Sequence, residues 1–114
     1  MNTTYVKAIR EVLASEMKRD EKVFVMGEDV EVLGGIFGAT RDLAKEMGGD
    51  GYTSYPPCNP EKLPRHDDIT HARCFNTPIS ESAFIGAGLG AACAGMRPVV
   101  ELMYMDFTLV AMDQ

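Results

Sequence analysis

Residues 74 to 103 limit most tightly what this chain can fold into, because they pattern as strand, helix and strand in immediate succession. Cys74 to Asn76 reads as a short strand. Pro78 to Ala94 is a helix that keeps Ala83, Gly86, Ala87, Gly90, Ala91 and Ala94 along one side, and Pro98 to Met103 (PVVELM) is a second strand. Such a unit requires a right-handed crossover and parallel pairing. A helix this rich in glycine is unfavourable by itself, so its small-residue side must be approached closely by another backbone or by a ligand.

The rest of the chain extends the same alternation. Tyr5, Ala8, Ile9, Val12, Leu13 and Met17 recur at helical spacing, with Thr3 or Thr4 as cap and with Arg10, Glu11 and Lys18 facing away. Lys22 to Met26 (KVFVM), bounded by Asp20 and Gly27, is a compact run suited to a buried strand. Gly34 and Gly35 mark a loop, and Phe37 to Met47 predicts a short amphipathic helix stopped by Gly48 and Gly49. Thr77 and Pro78 supply a cap and first helical residue for the small-residue helix. Asp106 begins a last helix in which Phe107, Val110 and Ala111 share a face.

Residues 50 to 71 break the pattern, since they hold four of the six prolines and show no period. They are expected to be an irregular insertion. The expected fold is therefore α/β: one partial domain over residues 1 to 114, with a truncated parallel sheet of about three strands flanked by helices.

Composition bears on what such a domain can bind. A net charge of −6, with acids and bases interleaved, argues against a nucleic-acid or anionic-membrane partner. The apolar run from Ala83 to Met96 is too short and too glycine-rich to span a bilayer, and no signal segment opens the chain, so a cytoplasmic protein is expected. Three cysteines without a CxxC pair argue for reduced thiols.

In a parallel sheet, ligands lie beyond the carboxyl ends of the strands. Those ends present Glu28, the turn from Pro78 to Glu81, and Met103 to Phe107. Glu81 carries the most chemistry. Helix amides and dipole favour its ionised form while burial against an apolar ligand favours the neutral one, so its proton affinity is adjustable. Other patterns have plainer readings. Gly49-Asp50-Gly51 with Asn76 imitates a metal-diphosphate motif but follows a helix end, where a stop and a turn suffice. Cys58, His66, His71 and Cys74 have the ligand types for zinc at irregular spacing, and solvent-facing loop residues are the simpler account. Gly86, Gly88 and Gly90 fit close helix packing better than a dinucleotide loop.

GEDV at 27 to 30, NTPISES at 76 to 82, GAGLGAACAGMRPVVEL at 86 to 102, and YMDF and AMDQ at 104 to 114 occur here in one order. In that order they resemble the beta subunit of the thiamine-diphosphate-dependent decarboxylating component of 2-oxoacid dehydrogenase complexes, and the similar acetoin dehydrogenases. The resemblance covers residues 3 to 49 and 72 to 114, and only the opening third of such a subunit. It implies a transketolase-like pyrimidine-binding domain. Glu81 then matches the acid that hydrogen-bonds the aminopyrimidine ring and favours its imino tautomer, and Phe107 matches the aromatic that stacks on that ring. Glu28 matches a carboxylate of the relay joining paired cofactor sites, while Ile79 and Met103 fall where the ring pocket is lined. No metal ligand is implied in this chain, since diphosphate and magnesium sit on an alpha-type subunit. The family's downstream histidine and carboxyl-terminal domain have no counterpart. The expectation is a half-site, inactive alone, in a homo-oligomer or with an alpha-type partner. The alternative is a non-catalytic interaction protein with a repurposed, metal-binding insertion.

Overall fold

The computed structural model describes residues 3–48 and 73–114. The insertion expected at 50 to 71, the Gly49-Asp50-Gly51 run, and Cys58, His66 and His71 of the zinc set lie outside the described residues.

Helix α1 (Tyr5–Arg19) starts where Thr4 leaves helical geometry and its hydroxyl oxygen accepts the Lys7 N–H at 3.3 Å. Lys18 and Arg19 complement the dipole in its last turn. Loss of the cap in Thr4→Ala should destabilise the fold by about 1 kcal/mol, measured by urea unfolding. Helix α1 buries a narrower stripe than its apolar pattern predicts. Ala14 and Met17 enter the core, whereas Tyr5, Ile9 and Val12 remain exposed. Arg10, expected to face away, instead crosses to the 41–46 segment, donating to the Arg41 carbonyl at 3.0 Å and pairing with Glu46. The helix is thus turned so that a basic edge covers its neighbour.

Strand β1 (Val23–Gly27) is central in a parallel sheet ordered β2-β1-β3, with β2 at Cys74–Asn76 and β3 at Arg97–Glu101. Alternation along β1 builds two layers around it. Val23 and Val25 join Ala14, Met17, Val30, Leu43, Ala44 and Cys74 in one core cluster. Phe24 stacks on Phe75 of β2, with centroids 5.8 Å apart and planes 11° apart. Helix α3 (Glu81–Cys93) packs against β3 through Gly88, where an added Cβ would come 2.5 Å from Val100 Cγ2. The contact falls on Gly88, off the small-residue side that the sequence singles out, of which Ala83, Ala87, Gly90 and Ala94 are exposed. Among the described residues no helix is long and apolar enough to cross a membrane.

Boundaries differ from expectation for identifiable reasons. Of the helix expected over Phe37 to Met47 only α2 (Leu43–Glu46) forms, because Gly38 (φ 78°) and Asp42 (φ 59°) adopt left-handed backbone that a helix cannot include. Helix α3 begins at Glu81 and not at Pro78, with Ser80 as N-cap. Thr77 is held in the sheet's extension by its N–H, which donates to the Gly27 carbonyl at 2.9 Å. Strand β3 stops at Glu101, leaving Met103 beyond it, and the last helix is a short 3-10 turn, Met105–Leu109.

Arg73, just before β2, joins three elements. Its Nη1 donates to the carbonyls of Met17 (2.7 Å), Asp20 (3.2 Å) and Val23 (3.2 Å), and its Nη2 to Met47 Sδ at 3.5 Å. One planar cation thereby satisfies the carboxyl end of α1 and its connection to β1.

Candidate functional site

The three strands end level. In the parallel registers, Gly27 of β1 stands opposite Asn76 of β2 and Glu101 of β3. Gly27 has no room for a side chain, since a Cβ there would meet the Glu101 carbonyl oxygen at 2.6 Å. Two residues on, Asp29 takes a left-handed conformation (φ 58°), a turn that aspartate tolerates better than most residues. The turn folds the 29–40 segment back over the sheet end. Its Gly35 N–H donates to the Asp29 carbonyl at 2.9 Å, and the Thr40 hydroxyl donates to the Val30 carbonyl at 2.7 Å. Glu28 is therefore buried, only 6 % exposed.

Four polar atoms gathered at this end are buried without a hydrogen-bond partner: Glu28 Oε1, Asn76 Nδ2, Thr77 Oγ1 and Glu101 Oε2. Each such atom costs about 1–3 kcal/mol, so a cluster of four marks a place that something else completes. Asn76 is half satisfied, its Oδ1 accepting the Glu31 N–H at 2.9 Å. The electrostatics follow from the crowding. Burial pushes the Glu28 carboxyl above the ordinary carboxylate range, the Glu81 and Asp29 charges push it further, and the Ser80 backbone N–H opposes them. Glu101 is raised likewise by burial, then by Glu28 and Asp29.

Glu81 is the first residue of α3 and half-buried, within electrostatic reach of Glu28. The segment bearing Phe107 is docked onto the same end of α3. The Ser82 hydroxyl donates to the Val110 carbonyl at 2.7 Å, the Gln114 side chain fills the space over Gly86, and Ala111 is buried. The Phe107 ring keeps 37 % of its surface exposed, edge-on to Tyr104, which is itself edge-on to Phe37. Exposed aromatic faces beside buried acids form a surface suited to a flat, nitrogen-bearing ring.

Of the residues singled out from the sequence, Glu28 and Glu81 come together, and Phe107 stands on the segment tied to the first turn of α3. Met103 is half-buried just past β3, and Ile79 is 83 % exposed on the turn before α3. Sequence reasoning passed over Glu101, read Thr77 only as a helix cap and set Asn76 aside with an imitation metal-diphosphate motif. An acid closing an apolar strand (PVVE) was the available signal for Glu101. Cys74 of the proposed zinc set lies in the core with its thiol pushed up to about 12, chiefly by burial, which suits packing and not metal ligation. A shallow apolar hollow beside Ala8, Ile9, Val12 and Leu13 belongs to α1 and includes none of these strand-end residues.

Comparison with known proteins identifies the family. The transketolase pyrimidine-binding domain family matches residues 1–114. The chain is 37 % identical over 111 residues to the 2-oxoisovalerate dehydrogenase subunit beta of Bacillus subtilis, covering 97 % of this chain and 27 % of that protein. It is 40 % identical over 111 residues to the pyruvate dehydrogenase E1 component subunit beta of Staphylococcus epidermidis, with the same coverage. It is 39 % identical to the 3-methyl-2-oxobutanoate dehydrogenase subunit beta of Mycobacterium tuberculosis, covering 97 % of this chain and 26 % of that protein. The chain thus spans about a quarter of the length of these relatives.

Proposed function

The chain belongs to the transketolase pyrimidine-binding domain family, and from that premise we propose that it supplies the aminopyrimidine-binding half of a thiamine diphosphate site. The whole protein is then a beta-type component of a 2-oxoacid or acetoin dehydrogenase. One observation carries the reading: a half-buried carboxyl at the start of α3, beside buried Glu28, with the Phe107 segment bonded to the same helix end through Ser82 and Val110.

The residues present fit the cofactor's pyrimidine. Glu81 exchanges a proton with a ring nitrogen, Phe107 offers a flat face that excludes water, and Asn76 Nδ2 and Thr77 Oγ1 are spare polar groups at the same sheet end. Glu28 backs Glu81 as a second carboxyl that resists ionisation. When bound, thiamine diphosphate supplies a thiazolium that accepts the electrons released by decarboxylation of a 2-oxoacid. Glu28, Asp29, Glu81 and Glu101 make this end a poor seat for a diphosphate, so we assign the diphosphate and magnesium to an alpha-type partner chain. Self-association belongs to the proposal as well, because Ala83, Ala87, Leu89 and Gly90 leave much of α3 uncovered.

Calorimetric titration with thiamine diphosphate and magnesium tests the assignment. Glu81→Gln should weaken binding roughly 10- to 100-fold, the magnitude of one hydrogen bond to a charged group. Phe107→Ala should weaken it by up to about tenfold through lost stacking. Equal heats and affinities for the three proteins would rule the reading out.

A further inference from the structure

Phe107 stands on a slight scaffold. Its turn, Met105–Leu109, is a 3-10 stretch of five residues, an element with poor hydrogen-bond geometry, and Met105 and Leu109 on either side are exposed. The anchors that tie this segment to α3, at Val110, Ala111 and Gln114, all follow Phe107 in the chain. Backbone anchors fix where the residue stands, but the side chain still has three staggered wells about χ1. A stacking surface needs one of them.

The ring is met from the other side. Tyr104 is the N-cap residue of the turn, and its carbonyl accepts the Phe107 N–H at 3.1 Å. Its ring lies edge-on to that of Phe107, with centroids 6.1 Å apart and planes at 73°. Tyr104 is met in turn by Phe37, with centroids 5.8 Å apart and planes at 79°. Both contacts have the geometry that aromatic quadrupoles favour. Phe37 belongs to the 29–40 segment, which is pinned on both sides of it: the Gly35 N–H donates to the Asp29 carbonyl at 2.9 Å, the Thr40 N–H to the Gly34 carbonyl at 3.0 Å, and the Thr40 hydroxyl to the Val30 carbonyl at 2.7 Å. The row Phe37, Tyr104, Phe107 thus runs from the segment that covers Glu28 to the ring beside Glu81. Exposures of 63 %, 47 % and 37 % along it mean that it buries little apolar surface, so it orients more than it stabilises.

We propose that Tyr104 is a positioning residue: braced by Phe37, it holds the Phe107 ring in the one orientation that stacks on the pyrimidine. The inference rests on the pyrimidine-site reading for its purpose, whereas the bracing itself needs no cofactor. The contacts are between rings, so Tyr104→Phe keeps them and Tyr104→Leu removes them while leaving an apolar side chain in place.

NMR of the cofactor-free chain reads the bracing. Three-bond couplings should show a single χ1 rotamer for Phe107 in the unmodified chain and in Tyr104→Phe, and averaging over rotamers in Tyr104→Leu, with Phe37→Leu changed in the same direction by less. An averaged Phe107 in the unmodified chain, or couplings that Tyr104→Leu leaves unchanged, would overturn the proposal. If Tyr104→Leu does not fold, Phe37→Leu decides: Phe107 couplings equal to those of the unmodified chain would overturn it.

Calorimetry with thiamine diphosphate and magnesium reads the purpose. Tyr104→Leu should weaken binding roughly 2- to 10-fold, the magnitude of an aromatic pair, and Tyr104→Phe should restore it. In a Phe107→Ala background the Tyr104 change should have no further effect, because it acts through that ring. Additive losses would mean that Tyr104 acts independently of Phe107 and would count against the proposal. If the unmodified chain takes up no cofactor, the pyrimidine-site reading fails while the couplings still decide whether Tyr104 orients Phe107, so the two failures are separately visible.

Discussion

Arg73→Met should lower the unfolding free energy by about 3–5 kcal/mol, a large share of what a domain of this size possesses. Three carbonyls, at Met17, Asp20 and Val23, accept from one Arg73 nitrogen. The first belongs to the last turn of α1, where carbonyls have no partner further along the helix. Methionine keeps the aliphatic stem and so isolates the loss of the charged donors. Bonds from a charged donor contribute about 1.5–3 kcal/mol each, but three acceptors on one nitrogen share a single centre and do not add fully. Lysine should recover only part, because an ammonium on a flexible stem lacks the planar fork that also reaches Met47. The contrast is Arg97, whose bond to Asp20 at 2.6 Å is largely exposed. Arg97→Met should cost less than about 1 kcal/mol. Urea unfolding of the two variants, followed by far-UV circular dichroism, compares them; equal losses would show that burial of the acceptors does not decide the effect.

The two arginines also show where the sequence was legible. Strand and helix alternation was readable because apolar runs such as VFVM and PVV stand between charged or glycine punctuation, and the alternation alone predicts a parallel α/β sheet. The placement of the first strand at the centre was not readable, since the order β2-β1-β3 depends on which surfaces meet, not on any local pattern. Helix α1 illustrates a second limit. Tyr5, Ile9 and Val12 continue the apolar spacing of Leu13 and Met17 but lie outside this chain's core. Periodicity marks apolar surface without saying which apolar surface this chain covers itself. The failed helix at 37 to 42 turns on the left-handed backbone of Gly38 and Asp42, a geometry that both residue types tolerate but that nothing in the local pattern requires of them.

The site divides the same way. Glu28 and Glu81 were visible because each follows a strand, where a parallel sheet exposes ligand-binding groups. Glu101 was missed because an acid closing a strand normally points to water. The burial of its Oε2 arises from the Gly27–Glu101 register and from a turn that folds back over it, and both are tertiary facts.

Gly27 is the position at which fold and site are hardest to separate, and Gly27→Ala should damage both. The added methyl would stand 2.6 Å from the Glu101 carbonyl oxygen and 3.1 Å from both Glu101 Cβ and Val30 Cγ1. A backbone oxygen cannot swing aside, so β1 must move off β3, and overpacking of this kind costs about 1–3 kcal/mol. Gly88→Ala meets an obstacle of another sort, a Val100 methyl at 2.5 Å, and gains about 1 kcal/mol of helix propensity in return. Its net cost should be small and should vanish when Val100 is trimmed to alanine. No such rescue exists for Gly27, because Val30→Ala leaves the carbonyl contact untouched. The displaced strand also carries Glu28 away from Glu101 and Glu81, so the thiamine diphosphate affinity of Gly27→Ala should fall even at a temperature where the protein is fully folded. Unfolding midpoints for the two pairs, with calorimetry on Gly27→Ala, check the chain of reasoning. Recovery of Gly27→Ala by Val30→Ala would mean that side-chain crowding, and not the approach of two backbones, holds the acids in place.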